Sequence, residues 1–270
     1  MTGFSIEWLK RREAVDARSR NRALLHAAAA FLTEPDALAV DLGCGIGATL
    51  RSFAPLISPK IRWRLIDHDP RLLAQAVLAC PQAETITADL RDITELPLDP
   101  ATLVTASALF DLCSANYIEI LTSHLARKAL PLYAALNFDG TITWDEPHQL
   151  DAAIITQFNH HQRRDKGFGP ACGSEATRHL TDHFSEFGYR VRTAPSPWLM
   201  DAADAALQAD FITGIHDAVA ETGPIDPTAL AAWRRHRLSA IGRNVRCAVG
   251  HIDLLATPPS ASNPVPTHAP

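Results

Sequence analysis

At 270 residues, 47% of them hydrophobic and 20% charged, the chain is long enough to bury a full core and leaves room for one or two domains. Its formal net charge of -5 argues against a surface built to neutralise nucleic-acid phosphates. Five cysteines, at 44, 80, 113, 172 and 247, are odd in number, scattered and without a C-x-x-C pair, so neither a disulfide framework nor a zinc site is indicated. The N-terminus, with Glu7, Lys10, Arg11, Arg12 and Glu13 in its first turns, has no apolar signal core, and no uninterrupted apolar run reaches about 18 residues. A cytoplasmic protein without a membrane partner is the expectation.

Along the chain, residues 5–32 carry apolar positions at helical spacing, Ile6, Leu9 and Val15 and then Leu24, Leu25, Ala28 and Phe31, which predicts one or two helices before the first strand. Residues 38–47, Leu-Ala-Val-Asp-Leu-Gly-Cys-Gly-Ile-Gly, read as a short apolar strand with Asp41 near its end and glycines at 43, 45 and 47. Glycines in such a turn let the backbone approach a bound nucleoside. A second strand over 62–66 closes on Asp67, and Asp69-Pro70 supply the N-cap and first position of a helix over 70–79. The third strand, 84–88, ends in Asp89-Leu90. Strand four, 101–107, precedes a helix near 114–127, and strand five, 131–138, tolerates Pro131 only at its start. With a further helix near 46–57, this alternation implies a parallel sheet covered by helices on both faces. Ligands on such sheets bind at the strand carboxyl ends, where Asp41, Asp67 and Asp89 fall.

The second half departs from that rhythm. A long interruption, 139–187, precedes a sixth strand at 189–193, where Phe184-x-x-Phe187-Gly188-Tyr189 reads as a helix end, a capping glycine and the start of a strand. A second interruption, 196–243, holds helical stretches at 201–221 and 227–241 broken by Thr222-Gly223-Pro224 and Asp226-Pro227. The last strand is expected over 245–255, and the Pro- and Ser-rich tail after it is expected to be disordered.

The glycine turn alone satisfies two fingerprints, because Gly43-x-Gly45-x-x-Ala48 also fits the looser dinucleotide pattern and Asp67 fits a ribose-binding acid in either case. Asp89 separates them, since dinucleotide oxidoreductases have no general need for a third acid. Over residues 36–138 the chain resembles class I S-adenosylmethionine (SAM)-dependent methyltransferases, and over 188–255 it resembles them in topology. The resemblance implies a Rossmann-like α/β fold: a mostly parallel seven-stranded sheet, helices on both faces, an antiparallel hairpin of the last two strands, and helical inserts. It implies one domain over 1–255, with an N-terminal helical cap at 1–33, a cofactor-binding core at 36–138 and a lid at 139–187. It also implies SAM as cofactor, with Asp41, Gly43, Cys44, Gly45 and Gly47 around the methionine moiety and Asp67 on the ribose hydroxyls. Asp89, between Ala88 and Leu90, would read the adenine amino group. His68 stands where the family often has an apolar residue against the adenine face, a place in which imidazole can stack. Cys44 sits where a small side chain suffices, beside the cofactor and without nucleophilic duty.

Ser107 opens the segment Ser107-Ala108-Leu109-Phe110-Asp111-Leu112, from which such enzymes reach both the methionine part of SAM and the acceptor. The Asn/Asp-Pro-Pro-aromatic motif of many nucleic-acid amino-methyltransferases is missing here. Asp111 reads either as a polar group on the site floor or as the N-cap of the next helix. Asn137 likewise reads as a floor residue or as part of the turn Asn137-Phe138-Asp139-Gly140. The first insert is dense in aromatic, amide and imidazole groups, among them Trp144, Phe158, Asn159, His160 and His161. His160 or His161 is a candidate general base, against the plain alternative of an exposed helix face. His179-x-x-x-His183 has metal-binding spacing but lacks the glutamate of the zinc-protease motif, so no metal is expected.

Basic residues cluster around Lys10 to Arg22, Arg163 to Lys166 and Arg234 to Arg243. An arginine fork suits a carboxylate, and Arg12 and Arg18 are the candidates for the methionine carboxylate. The function expected is methyl transfer to a small metabolite, anionic or heteroaromatic, with release of S-adenosylhomocysteine. Two alternatives remain open: a SAM-binding protein that transfers nothing, and an RNA methyltransferase whose basic clusters join into one patch. The acceptor atom and the oligomeric state stay open.

Overall fold

The structure is a computed structural model that describes residues 4–243 and 245–259; from residue 260 onward the expected disordered tail lies outside the described residues. Two helices, α1 (Ile6–Ser19) and α2 (Arg22–Ala29), precede β1 (Leu38–Leu42). The alternation continues with α3 (Ala48–Phe53), β2 (Arg62–Asp67), α4 (Pro70–Ala79), β3 (Glu84–Thr87), β4 (Leu103–Ser107), α5 (Ala115–Arg127) and β5 (Leu132–Trp144). Then come α6 (Asp151–Gln162), α7 (Ala176–Glu186), β6 (Arg190–Pro195), β7 (Trp198–Met200), α8 (Ala205–Ala220), α9 (Pro227–Ile241) and β8 (Cys247–Thr257). Side chains set several of the helix starts by satisfying a free backbone donor. Ser5 accepts from the Trp8 amide at 3.1 Å, Asp69 from Arg71 at 2.8 Å with Pro70 in the first turn, and Ser114 from Tyr117 at 3.1 Å.

The strands lie in the order β3-β2-β1-β4-β5-β8-β6, with β7 added alongside β8. β1 to β5 pair in parallel, and β8 runs antiparallel between β5 and β6. Register places Asp41 opposite both Leu65 and Thr105, so the carboxyl ends of the central strands finish nearly flush. The direction of winding reverses at β1, the place where such sheets open a ligand crevice. One face of the sheet packs on α5 and α7 through Leu121, Leu125, Leu180 and Phe184; the other packs on α2 to α4 through Leu24, Leu50 and Leu73.

A third cluster caps the carboxyl ends. Parallel pairing of β5 with β4 stops at Ala135, but β5 continues to Trp144 and stays paired with the first half of β8, which also carries β7. Against this three-stranded extension pack α1, α6, α8 and α9, with Val15, Ile154, Ile212 and Trp233 buried between them.

The sheet therefore has eight strands where seven were expected. β7 is only three residues long and follows Pro195-Ser196-Pro197, so no alternation announces it. Asn137-Phe138-Asp139-Gly140 is not a turn: β5 passes through it with register shifts on both sides, and Asn137 is fully buried within the strand. β8 reaches Thr257, two residues into the expected tail, because Ala256 and Thr257 pair with β6.

The cap is fastened by a buried ion pair. Arg237 of α9 has no solvent-exposed side-chain surface; it meets the Asp151 carboxylate, donates to the Glu146 carbonyl at 2.8 Å and lies 4.2 Å from the Trp144 ring centre. Asp151 also accepts from the Trp233 indole at 2.9 Å. Removing the carboxylate leaves a buried guanidinium without its counter-charge, so Asp151→Ala is expected to lower unfolding stability by about 3 kcal/mol in urea titration. A change within about 0.5 kcal/mol, the range of an ordinary surface substitution, would show that the pair does not hold the cap.

Candidate active site

Asp41 sits at the end of β1 with almost no exposure. One carboxylate oxygen accepts from the Thr105 hydroxyl at 2.7 Å; the other, Oδ2, is buried with no partner among the described residues. Burial pushes its pKa up to about 7, against the pull of the Thr105 hydrogen bond and the Arg20 charge. Arg20, just past the end of α1, is 3% exposed and donates through one terminal nitrogen to Ser107 Oγ at 3.0 Å and, more weakly, to Thr49 Oγ1 at 3.4 Å. Its Nε and Nη1 are buried with no acceptor. A guanidinium with unused donors thus stands beside a carboxylate with an unused acceptor, both at the head of the glycine turn.

The turn itself is held by Asp67. The Gly45 amide donates to Asp67 Oδ2 at 2.9 Å while Gly45 keeps a φ of 55°, a conformation that costs a residue with a side chain. Gly47, at φ 83°, lies against α4 so closely that a Cβ would come 3.2 Å from that of Ala76. Gly43 lies beneath Leu90 and Leu109, and the Cys44 amide donates to the Ile66 carbonyl at 3.0 Å. Burial pushes the Cys44 thiol far up, which removes it as a nucleophile at neutral pH. The other oxygen of Asp67 accepts from the Asp69 amide at 2.9 Å and lies 3.3 Å from His68 Nδ1, whose ring is half exposed. The Ala88 amide donates to the Asp67 carbonyl at 3.1 Å, which carries the crevice edge on to Asp89. Asp89 is gripped by the guanidinium and amide of Arg91, which hold its pKa down to about 2. Asp41, the glycines, Asp67, His68, Asp89 and Ser107 are therefore brought to one continuous edge.

Beyond Ser107 lies a cavity of about 100 Å³ under the cap. Its walls include Trp8, Phe138, Phe158, Trp198 and Phe211, with neighbouring rings 6.0–6.5 Å apart between centres. Ala108 and Leu136 flank it with φ of 49° and 56°, a left-handed backbone that residues with a side chain rarely adopt. The Leu136 amide is held by Asp253 at 2.8 Å and the Ala108 amide by the Ala135 carbonyl at 2.9 Å. Polar groups in the lining are Asp111, Arg12, Gln162, His251 and the indole N–H groups of Trp198, which donates to Asp16, and of Trp8, which is buried without an acceptor among the described residues. Asp111 occupies a short 3-10 turn, and Ser114 rather than Asp111 caps α5. Its Oδ1 is buried without a partner, and burial pushes its pKa up to about 6. His251 is pushed down to about 3 by burial and by Arg12, and its Nδ1 lies 3.0 Å from the Val249 carbonyl.

Several groups expected at the site lie elsewhere. Arg18 is engaged by Asp204 and the Leu199 carbonyl on the outside of α1. Arg12 faces the aromatic cavity, paired with Asp16 at 2.8 Å, and the arginine that stands beside Ser107 and Asp41 is Arg20. His160 is exposed on α6, and His161 lies 3.1 Å from Glu221 at the end of α8; neither lines the cavity. Phe158 and Gln162, four residues apart on that helix, face it and so turn the two histidines away from it, His160 to the surface and His161 toward Glu221 and Lys166. Asn137 holds its own bulge, donating to the Ala134 and Ile252 carbonyls. Within residues 139–187, Phe168 packs on Tyr117 and Arg164 pairs with Glu221. The basic clusters are largely met by acids: Arg11 by Glu7 and Asp210, Arg237 by Asp151, Arg243 by Glu146. Among the described residues no three His, Cys, Asp or Glu side chains converge as a metal site, and no helix is long and apolar enough to cross a membrane.

No family model matches the sequence, and no curated protein matches it either. Solved structures do match. A cyclopropane-fatty-acyl-phospholipid synthase-like protein from Lactobacillus casei aligns over 94% of each chain at 15% identity with a TM-score of 0.56. A proposed type II methyltransferase from Anaeromyxobacter dehalogenans aligns over 88% of this chain and 96% of its own at 18% identity and TM-score 0.52. A proposed methyltransferase from Bacillus halodurans aligns over 88% and 98% at 13% identity and TM-score 0.51. The fold is that of class I SAM-dependent methyltransferases.

The raised carboxylates have a measurable consequence. From about pH 4 to about pH 7 folded Asp41 and Asp111 retain protons that the unfolded chain releases, so both lower stability as pH rises. His251, kept neutral in the fold, acts in the opposite sense as pH rises from about 3 to its ordinary 6.5. Asp41→Asn is therefore expected to gain stability relative to the parent as ligand-free protein is moved from about pH 5 to about pH 7.5 in urea unfolding. A difference that stays constant with pH would mean that Asp41 ionises normally.

Proposed function

We propose that the protein is a SAM-dependent methyltransferase acting on a small heteroaromatic acceptor and releasing S-adenosylhomocysteine. The observation that carries this reading is the pair of unused buried groups at the glycine turn, the Nε and Nη1 donors of Arg20 and the Oδ2 acceptor of Asp41. The α-carboxylate and α-ammonium of an amino-acid moiety would complete both at once. A dinucleotide would bring a pyrophosphate without an ammonium and leave Asp41 facing added negative charge. Asp67 and Asp89 extend the same edge with acceptors suited to ribose hydroxyls and an adenine amino group: each Asp67 oxygen has one backbone donor and capacity for another, whereas Asp89, held at both oxygens by Arg91, would exchange one of those contacts for the adenine.

SAM, when bound, supplies a methyl group on a sulfonium leaving group, so the protein's task is mainly alignment. Arg20, Ser107 and Asp41 fix the amino-acid end, and Ala108, the next residue after Ser107, is already a wall of the aromatic cavity. Cofactor and acceptor positions thus adjoin. Of the two acceptor types expected from the sequence, the lining supports the heteroaromatic one: Arg12, the cationic group in the wall, is matched by Asp16, and the remaining surface is largely aromatic.

Arg20→Ala is expected to weaken SAM binding at least about tenfold in calorimetry, the scale of one hydrogen bond to a charged group. Arg18→Ala is expected to leave it unchanged. Equal losses, or none at Arg20, would remove the carboxylate assignment. Tight SAM binding with no S-adenosylhomocysteine formed from any small-molecule pool would leave a binding protein rather than an enzyme.

A further inference from the structure

The charge balance of the aromatic cavity is one-sided. Arg12, which reaches the wall from α1, is held by both oxygens of Asp16, at 2.8 and 3.3 Å, and Asp16 also accepts from the Trp198 indole at 2.8 Å. That positive charge is spoken for, and the guanidinium lies 5.0 Å from the centre of the Trp198 ring. His251, from β8, is neutral at physiological pH because burial and Arg12 both oppose its protonation. Gln162 is uncharged. What remains among the polar groups of the lining is the Asp111 carboxyl, with a buried oxygen that has no donor, and the Trp8 indole N–H, buried without an acceptor; both share the cavity with the rings of Phe138, Phe158, Trp198 and Phe211.

Aromatic faces are the negative side of the ring quadrupole and attract cations and polarised N–H groups. A buried carboxyl lacking a donor is costly until a donor arrives. Both features favour the same kind of guest. An anionic acceptor would meet the π faces and the carboxylate at once and find the sole lining cation already paired.

Resting on the methyltransferase reading above, we infer that the cavity selects a small nitrogen acceptor, an amine or an N–H heterocycle, whose nitrogen is bound by Asp111 and methylated. The Asp111 carboxylate takes the proton from the bound ammonium or N–H, and the lone pair this frees attacks the methyl carbon of SAM and forms an N–C bond. The S–C bond breaks and its electron pair stays on sulfur, giving the neutral thioether of S-adenosylhomocysteine. Asp111 then passes the proton to water. Asp111 is then a catalytic residue, and it takes the place that the sequence suggested for His160 or His161. The cavity of about 100 Å³ confines the guest to roughly a single ring.

Two measurements on the full chain separate this inference from the reading beneath it. Trp8 and Trp198 line the cavity, so their fluorescence reports occupancy without SAM. Titration with imidazole and benzylamine is expected to saturate, whereas benzoate and phenol are expected to bind at least about tenfold more weakly; Asp111→Asn is expected to erase that preference. Stronger binding of benzoate, or a preference unchanged in Asp111→Asn, overturns the inference whatever happens with SAM. The second measurement is S-adenosylhomocysteine release from matched pools of small amines and N-heterocycles, carboxylates and phenols. Release from the nitrogen pool, reduced at least about 100-fold by Asp111→Asn at unchanged SAM affinity, supports the inference. Release from the carboxylate or phenol pool instead overturns it while leaving methyl transfer standing. Failure of SAM to bind removes the methyltransferase reading, and the fluorescence preference then decides the cavity's selectivity by itself.

Discussion

The candidate site depends on one buried carboxylate that belongs neither to the glycine-turn edge nor to the cavity lining. Asp253, fully buried on β8, accepts hydrogen bonds from the Asn21 amide, the Tyr133 hydroxyl and the Leu136 amide, each at 2.8 Å. Asn21 caps α2 and directly follows Arg20, so this bond fixes the chain where the guanidinium enters the crevice. Leu136 is the residue in the left-handed region at the bulge of β5, and its amide has no place in the ladder there. Without Asp253, three buried donors would lose their acceptor at about 1–3 kcal/mol each. The strain at Leu136 persists because the surroundings leave it no alternative.

Much of the fold was legible because the relevant residues lie at the ends of apolar runs. Asp41 and Asp67 each close a strand with a hydrophobic stretch, Asp89 follows the more polar edge strand β3, and parallel pairing in register then puts all three on one edge. Asp69-Pro70 marked a helix start by a side-chain bond that is entirely local. Longer-range decisions were not legible. Five arginines lie between residues 11 and 22, and which of them faces inward depends on how α1 rests on β7 and α8, contacts made with residues about 180 positions away. Arg18 and Arg20 are chemically identical in sequence; Asp204 captures one, and Ser107 receives the other.

The same distinction explains the histidines. His160 and His161 stood out by density, but a helix has only one inward face, and on α6 Phe158 and Gln162 occupy it. His251 went unnoticed in a strand whose phase was readable: Cys247, Val249, His251 and Asp253 alternate inward, and a polar residue at an inward position of an apolar strand is a signal in itself. The bulge of β5 escaped because Asn, Asp and Gly serve a turn and a bulge equally well; only the partner strand tells them apart.

The extension of β5 and β8 past the parallel sheet has a mechanical consequence. The edge that carries the glycine turn joins the lower part of this ladder through β4, whose Ser107 pairs with Ala135, while Phe138, Val249 and His251 of the aromatic cavity belong to its upper part, and the ladder between them is continuous apart from two register shifts. A lid hung on flexible loops can swing away from its base; a cap grown from the same two strands cannot do so without tearing a hydrogen-bonded ladder. Any widening of the cavity is then left to the helices around it, such as α1, where Trp8 closes one side together with Phe4. The distance between the glycine turn and the aromatic cavity stays a property of the sheet, as rigid as the core itself.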